Sequence, residues 1–478
     1  GGLREAFDRQ LPFTLTSGQQ QVGETLAAEL GEPHPMHRLL QGEVGSGKTV
    51  VALRAMLAVV DAGGQAAMLA PTEVLAAQHY KTLSAMLGPL AEAGMLGGAD
   101  VATRLALLTG SMGAAARRTA LLDAASGGAG IVVGTHALLE DRVQFADLGL
   151  VVVDEQHRFG VEQRAALTQK SGDDTPHVLV MTATPIPRTV AMTVFGDLAV
   201  STLTELPGGR SPIASSVVPA AEKPNWLDRA WQRVREEVQK GHQAYVVCPR
   251  IGDDEKGPED LDEADVPADG DGKRRPPVSV TEVGELLRSG PLAGLRLDVL
   301  HGRLPADQKD AVMARFAAGE TDVLVATTVI EVGVDVPNSA VMVVMDADRF
   351  GISQLHQLRG RVGRGAVPGL CLLVTDARLD SAARERLEAV AATTDGFELS
   401  RVDLENRREG DVLGVAQSGR RSSLRLLSVL RDEDVIADAR AVAGELVASD
   451  PALEGYDALR REVEAVQQSE QAEYLEKT

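Results

Sequence analysis

Gly42-Glu43-Val44-Gly45-Ser46-Gly47-Lys48-Thr49 is the stretch on which the fold turns. It fits GxxxxGK[ST], in which glycines let backbone N–H groups turn onto phosphate oxygens and the next helix offers its positive N-terminus. On this reading Gly42, Gly45, Ser46 and Gly47 build a cradle and Lys48 reaches the β- and γ-phosphates. Thr49 would hold Mg²⁺ through its hydroxyl. The flanks agree: an apolar segment comes before, and Thr49–Ala62, closed by Gly63-Gly64, reads as a helix.

About a hundred residues on, Leu150-Val151-Val152-Val153 runs into Asp154-Glu155-Gln156-His157. A carboxylate at the C-terminal end of a buried strand lies where open α/β sheets bind ligands. Asp154 would hold Mg²⁺ and Glu155 would orient and polarise an attacking water. An exposed turn also favours Asp and Glu after a strand; the upstream loop tips the balance to chemistry.

Short apolar runs alternate with helical stretches on both sides of this pair. Ala66–Ala70, Arg104–Leu108, Ile131–Val133, Leu150–Val153 and Val178–Met181 read as buried strands. The theme restarts with Ala244–Cys248, Arg296–Leu300, Val323–Ala326, Ala340–Met345 and Gly369–Val374. Near-continuous apolar strands separated by helices imply parallel sheets covered on both faces. Glu205–Ser211 reads as the connection between the halves. We therefore expect domains at 1–206, 207–378 and 379–478, the last helical, with helices at Ser381–Thr393 and Asp434–Val447 and a break at Pro451. Residues 252–278, acidic and rich in Pro and Gly, are expected to be a disordered insertion in the second domain.

Bulk composition sets the limits. The 478 residues call for more than one core. No run of 18 apolar residues and no leader with a cleavage site is present, so no membrane partner is expected. Cys248 and Cys371, the only cysteines, read as reduced core thiols of a cytoplasmic protein. The net charge of −21 argues against a nucleic-acid partner, but it is uneven. Residues 253–271 contribute −9, whereas 349–365 carry Arg349, Arg359, Arg361 and Arg364 with no acid. Residues 399–431 carry seven Arg against four acids. A phosphate backbone needs a local positive track, not a basic average.

The motifs in order resemble those of superfamily-2 helicases. Asp154-Glu155-Gln156-His157 resembles motif II in its DExH form, and Leu15-Thr16-x-x-Gln19 resembles an adenine-reading element. Ala70-Pro71-Thr72-Glu73 resembles motif Ia, Leu108-Thr109-Gly110-Ser111 motif Ib, and Gly134-Thr135-His136 a further DNA-contacting turn. Thr182-Ala183-Thr184 resembles motif III, which in the family couples hydrolysis to movement. Ala326–Pro337, with Gly333 and Asp335, resembles motif V on the nucleotide side. Gln354–Gly365 resembles motif VI, whose two arginines in the family reach the γ-phosphate; by position these are Arg361 and Arg364. Arg359 is assigned to a DNA phosphate track.

Longer strings narrow the resemblance to the RecG family. Asp154–Arg164 and Thr182–Thr189 are similar to RecG and to the transcription-repair coupling factor, which typically has Glu where Gln156 stands. Asp395-Gly396-Phe397, Asp403-Leu404-Glu405 and Leu413-Gly414-x-x-Gln417-Ser418-Gly419 resemble the RecG translocation module. The family's coupling positions fall on Arg386, Arg407 and Gln417. One departure is clear: Arg407-Arg408-Glu409-Gly410-Asp411 stands where the family usually has Arg-Gly-Pro-Gly-Glu, losing a preorganised turn.

The resemblance implies an α/β fold of two tandem RecA-like parallel-sheet domains with a phosphate loop, plus a C-terminal helical hairpin and loop. It implies ATP and Mg²⁺ as cofactors, branched double-stranded DNA and the single-strand-binding protein as partners, a monomer, and a nucleoid-associated place in the bacterial cytoplasm. A coupling-type translocase and an ATP-gated DNA binder without productive hydrolysis are the alternatives. The family's N-terminal OB-fold wedge has no counterpart in residues 1–10, which read as the tail of a connection. The start without Met is read as a missing N-terminal portion.

Overall fold

The computed structural model describes residues 2–93, 99, 101–110, 112–139, 143–154, 175–183, 198–205, 213–251, 277–328, 336–364, 367–406 and 433–465. The first sheet consists of β1 (His37–Gly42), β2 (Gln65–Leu69), β3 (Leu105–Leu108), β4 (Ile131–Gly134), β5 (Leu148–Asp154), β6 (His177–Thr182) and β7 (Ala199–Leu203). Its order is β3-β4-β2-β5-β6-β1-β7, with every pairing parallel. All five residues of β2 are buried, as a strand covered on both faces requires.

Helix α1 (Leu3–Gln10) corrects the reading of residues 1–10 as a mere tail. Leu3 and Phe7 are buried against the first core, and Asp8 grips Arg54 with both carboxylate oxygens, at 2.8 and 3.0 Å. Asp61 accepts the first N–H groups of α1, where a helix N-terminus favours an anion. Helix α2 (Ser17–Glu29) and α1 both pack on α3 (Lys48–Asp61). That cover explains why α3 is apolar almost all round: Val50, Val51, Ala52, Leu53, Ala55, Met56, Leu57 and Val59 are all buried. Helices α4 (Glu73–Leu87) and α5 (Ala114–Ala125) complete the first layer set.

The second sheet consists of β8 (Ile213–Pro219), β9 (Gln243–Val247), β10 (Leu297–Leu300), β11 (Val323–Ala326), β12 (Ser339–Val344) and β13 (Gly369–Thr375). It is again wholly parallel, in the order β10-β11-β9-β12-β13-β8. Helices α6 (Pro224–Gln239), α7 (Val280–Ser289), α8 (Ala306–Ala317) and α9 (Ile352–Arg359) lie between the strands in sequence. The sequence reading gave β1 only as an apolar segment and missed β7 and β8. Both missed strands are sheet edges and carry Ser or Thr: Ser201 and Thr202 in β7, Ser215 and Ser216 in β8.

Of the expected insertion at 252–278, residues 252–276 lie outside the described residues, as do 206–211 of the expected connection. Val278 is described, and its N–H donates to Asp346 at 2.9 Å. Beyond β13, α10 (Ala382–Ala392) and α11 (Gly396–Asn406) give Leu387, Val390 and Leu399 to the core of the second sheet. The chain divides into two compact units: one spans 1–186 and 197–406, and the other holds 187–196 and 407–478. In the second unit the described residues include α12 (Glu433–Ser449). After it Asp450 accepts N–H bonds from Glu454 and Gly455, the turn expected at Pro451. Among the described residues no helix is long and apolar enough to cross a membrane.

Candidate nucleotide site and DNA-facing edge

Register places the motifs along one edge. Gln41 pairs with Thr182, Met181 with Asp154, Val153 with Leu69, Leu69 with Gly134 and Gly134 with Leu108. Because all strands run the same way, the phosphate loop, Asp154, Thr182 and the turns at Pro71, Thr109 and Thr135 all lie at the C-terminal edge.

The loop from Gly42 to Gly47 needs its glycines. Gly45 and Gly47 both have φ of 86°, a conformation costly for other residues. A Cβ on Gly47 would lie 2.2 Å from Gln19 Nε2, and one on Gly42 would lie 2.6 Å from Ser46 Oγ. Lys48 Nζ donates to the Gly42 and Glu43 carbonyls at 2.6 and 3.0 Å, so its ammonium sits over the loop. Thr49 stands in the first turn of α3. Ser46 Oγ is buried and finds no partner among the described residues. Gln19 is buried and structurally engaged: its Oε1 accepts the Thr16 N–H at 3.0 Å and its Nε2 donates to Ser46 O at 2.8 Å.

Asp154 ends β5, and its side chain is 14% exposed. Its Oδ2 lies 2.6 Å from His79 Nε2, a residue on α4 that sequence reading passed over. Only its place on the buried face of that helix signals it. Thr72 caps α4 by accepting the Leu75 N–H at 3.3 Å, with Pro71 before it. A Cβ on Gly110 would meet Glu73 Oε1 at 3.0 Å, so the motif Ia and Ib turns are neighbours. The Thr109, Thr135 and Thr182 side chains are buried; the Thr135 hydroxyl accepts the Ala137 N–H at 3.4 Å. These residues fix their turns. Glu155, Thr184, Gly333, Asp335, Arg407, Gln417 and the side chain of His136 lie outside the described residues.

Motif VI meets the phosphate loop directly. Glu43 Oε1 accepts the Gly396 N–H at 2.8 Å and lies 3.9 Å from His356 Nε2. Gly360, just past α9, faces Val44. Arg361 and Arg364 follow, and Arg364 Nε donates to the Gly360 carbonyl at 2.8 Å. Arg386, on α10, donates to the Asp348 carbonyl at 2.6 Å.

Arg359 requires a correction. It was assigned to a DNA phosphate track, but it is 2% exposed. Its guanidinium donates to the Val390 and Thr393 carbonyls at 2.7 and 2.6 Å and to His356 Nδ1 at 2.7 Å. The carbonyls at the end of α10 have no intrahelical N–H partner, and a cation is favoured there. Burial pulls the Arg359 pKa below the ordinary guanidinium value; Cys371 and Glu43 oppose the shift. Since Arg359 can only donate, His356 Nδ1 is the acceptor and its Nε2 side faces Glu43.

The comparisons agree with this arrangement. Residues 16–193 match the DEAD/DEAH box helicase family and 278–366 the helicase conserved C-terminal domain. Residues 393–470 match domain 3, C-terminal, of the ATP-dependent DNA helicase RecG. The chain is 58% identical to the ATP-dependent DNA helicase RecG of Mycobacterium bovis, over 95% of this chain and 60% of that protein. It is 44% identical to that of Synechocystis sp., over 96% of this chain and 51% of that protein. It thus spans between half and two thirds of the length of these relatives. The structure of RecG bound to a three-way DNA junction superposes with a TM-score of 0.70 at 36% identity, over 91% of this chain and 52% of that one. The motifs, the two parallel sheets and these matches agree: the chain belongs to the RecG family of ATP-dependent DNA helicases, which it matches through the helicase core and the C-terminal region.

Proposed function

We propose that the chain is an ATP-driven double-strand DNA translocase that remodels branched DNA, such as stalled replication forks and Holliday junctions, in recombination and repair. One observation carries the reading: Glu43 of the phosphate loop lies 3.9 Å from His356 of motif VI and accepts the N–H of Gly396 at the start of α11. Arg361 and Arg364 follow His356 in the same motif, which supports reading them as the cations that face a bound phosphate. A planar cation on developing phosphoryl charge lowers the barrier only when the two domains meet.

The residues fit the groups they are asked to hold. The cradle has no room for a Cβ at Gly47, and it presents a buried, unpartnered Ser46 hydroxyl. Thr49 and Asp154 offer the hard oxygen donors Mg²⁺ prefers. Held by Thr49 and Asp154, Mg²⁺ would supply charge neutralisation at the phosphates. Lys48 leaves the loop carbonyls for the phosphates, Gln19 reads the base, and Gly333 and Asp335 close the nucleotide side. Glu155 polarises the attacking water, and Arg361 and Arg364 stabilise the transferring phosphoryl group. Pro71, Thr72, Thr109, Gly110, Thr135 and His136 shape the DNA edge; Thr182, Thr184, Arg386, Arg407 and Gln417 couple hydrolysis to movement. We place the domain limits at 1–206, 207–378 and 379–478, with α10 and α11 of the last segment packed on the second sheet. The chain works as a monomer in the bacterial cytoplasm, at the nucleoid, and engages the single-strand-binding protein.

The test is ATP turnover with and without a three-way junction. Duplex should stimulate hydrolysis, and Glu155→Gln should bind ATP without turning it over. Turnover indifferent to DNA would overturn the motor reading; parental turnover in Glu155→Gln would overturn the water-activating role.

A further inference from the structure

We propose that His79 is a positioning residue for the metal-holding carboxylate, fixing Asp154 from the motif Ia helix. The proposal rests on the reading of Asp154 as the Mg²⁺ ligand.

The argument begins with the face of α4. Ala76, Leu83 and Leu87 are its buried residues, and His79 falls on the same stripe, three residues after the first and four before the second. A polar ring on a core-facing stripe is costly unless it is bonded. His79 is 14% exposed at its side chain, and its Nε2 is 2.6 Å from Asp154 Oδ2. The bond occupies one carboxylate oxygen and fixes the plane of the group, which leaves Oδ1 to a ligand.

A supporting contact of this kind does more than pack. Partners of metal-binding side chains orient them, and their removal typically costs about 10–100-fold in metal affinity. Here the support comes from a distinctive place. Helix α4 starts at the Thr72 cap, directly after the Pro71 turn. The seven steps from Thr72 to His79 span roughly 10 Å of a rigid rod. The element that begins at the DNA edge therefore ends its second turn on the metal carboxylate. The alternative is a buried pair that only holds α4 to β5. A structural pair would affect folding and nucleotide binding alike, with or without Mg²⁺.

The experiment measures binding of a fluorescent, non-hydrolysable ATP analogue to the 478-residue chain, titrated with Mg²⁺ and repeated in EDTA. Thermal melting is followed in parallel. His79→Phe keeps the bulk and loses the bond; His79→Gln keeps an amide donor near Nε2. We expect the Mg²⁺ midpoint of His79→Phe to rise by about 10–100-fold. Its EDTA binding should match the parent, and His79→Gln should bring the midpoint back toward it. Should His79→Phe fail to fold, His79→Met takes its place in the same titration. An unmoved midpoint, or an equal loss in EDTA and in Mg²⁺, would overturn the proposal. Asp154→Asn separates the two readings. If that variant also leaves the midpoint unmoved, Asp154 is not the metal ligand and both readings fall. If only His79→Phe leaves it unmoved, the positioning role alone is wrong.

Discussion

Replacing Arg359 by Met removes the buried guanidinium while keeping most of the side-chain volume. The structure sets the size of the effect. Two carbonyls at the end of α10 and His356 Nδ1 lose their donor. A buried acceptor left unpaired costs about 1–3 kcal/mol, so the two carbonyls together come to about 4 kcal/mol at mid-range. For a domain of this size that corresponds to a fall in melting temperature of roughly 8–16 °C. Circular dichroism melts of parent and Arg359→Met measure it, alongside duplex binding by anisotropy at several salt concentrations. The salt slope should be unchanged where both proteins are folded, because a buried arginine neutralises no phosphate. A variant melting within about 2 °C of the parent, whose slope of log K on log salt drops by about one, would refute the reasoning and return Arg359 to the phosphate track.

Arg364→Ala should lower turnover by about 10³-fold or more, with a much smaller change in ATP affinity; a defect confined to DNA binding would reassign it. Asp298 gives a pH test. Burial raises its pKa, but hydrogen bonds from Arg315 and Thr321 outweigh this and the net shift is downward. A depressed carboxylate contributes stability that is complete above its unfolded value of about 3.9 and is lost as pH falls through the folded value. Asp298→Asn should thus be less stable at neutral pH, with the two urea-midpoint curves converging below about pH 4; parallel curves would count against it. Cys248 and Cys371 are free and buried. Burial raises both thiol pKa values, Cys371 to about 12. Neither should react with a thiol reagent in the native protein, and both should react in denaturant.

What the sequence disclosed follows from where chemistry restricts residue choice. Phosphate contact demands glycines that can take positive φ, and catalysis demands a carboxylate at a strand end, so Gly45, Gly47 and Asp154 were legible. β5, which carries Asp154, is apolar on both faces and equally plain, whereas β1, with His37, Arg38 and Gln41, reads only as an apolar segment. The edges were harder: β7 and β8 mix polar and apolar residues because one side of each is unpaired. Arg359 shows the deeper limit. It stands in a basic run with Arg361 and Arg364, and no local feature separates a phosphate ligand from a buried helix cap. What decides is the end of α10, more than thirty residues later in the chain. His79 was hidden for the same reason, since Asp154 lies 75 residues away.

Glu43 shows how one charge ties these elements together. It occupies a variable position of the phosphate loop, where the motif itself dictates nothing. Its carboxylate takes the first N–H of α11, whose next two N–H groups go to Asp395 at 2.8 and 3.2 Å. The N-terminus of that helix is thus shared between a local cap and a loop from the other sheet. His356, held by Arg359, turns its Nε2 side to the same carboxylate. A carboxylate at a helix N-terminus is worth about 0.3–2 kcal/mol. Through Glu43 the phosphate loop contacts both α9, which leads to Arg361 and Arg364, and the start of α11. Behind that contact the buried Arg359 ties α9, the end of α10 and His356 together.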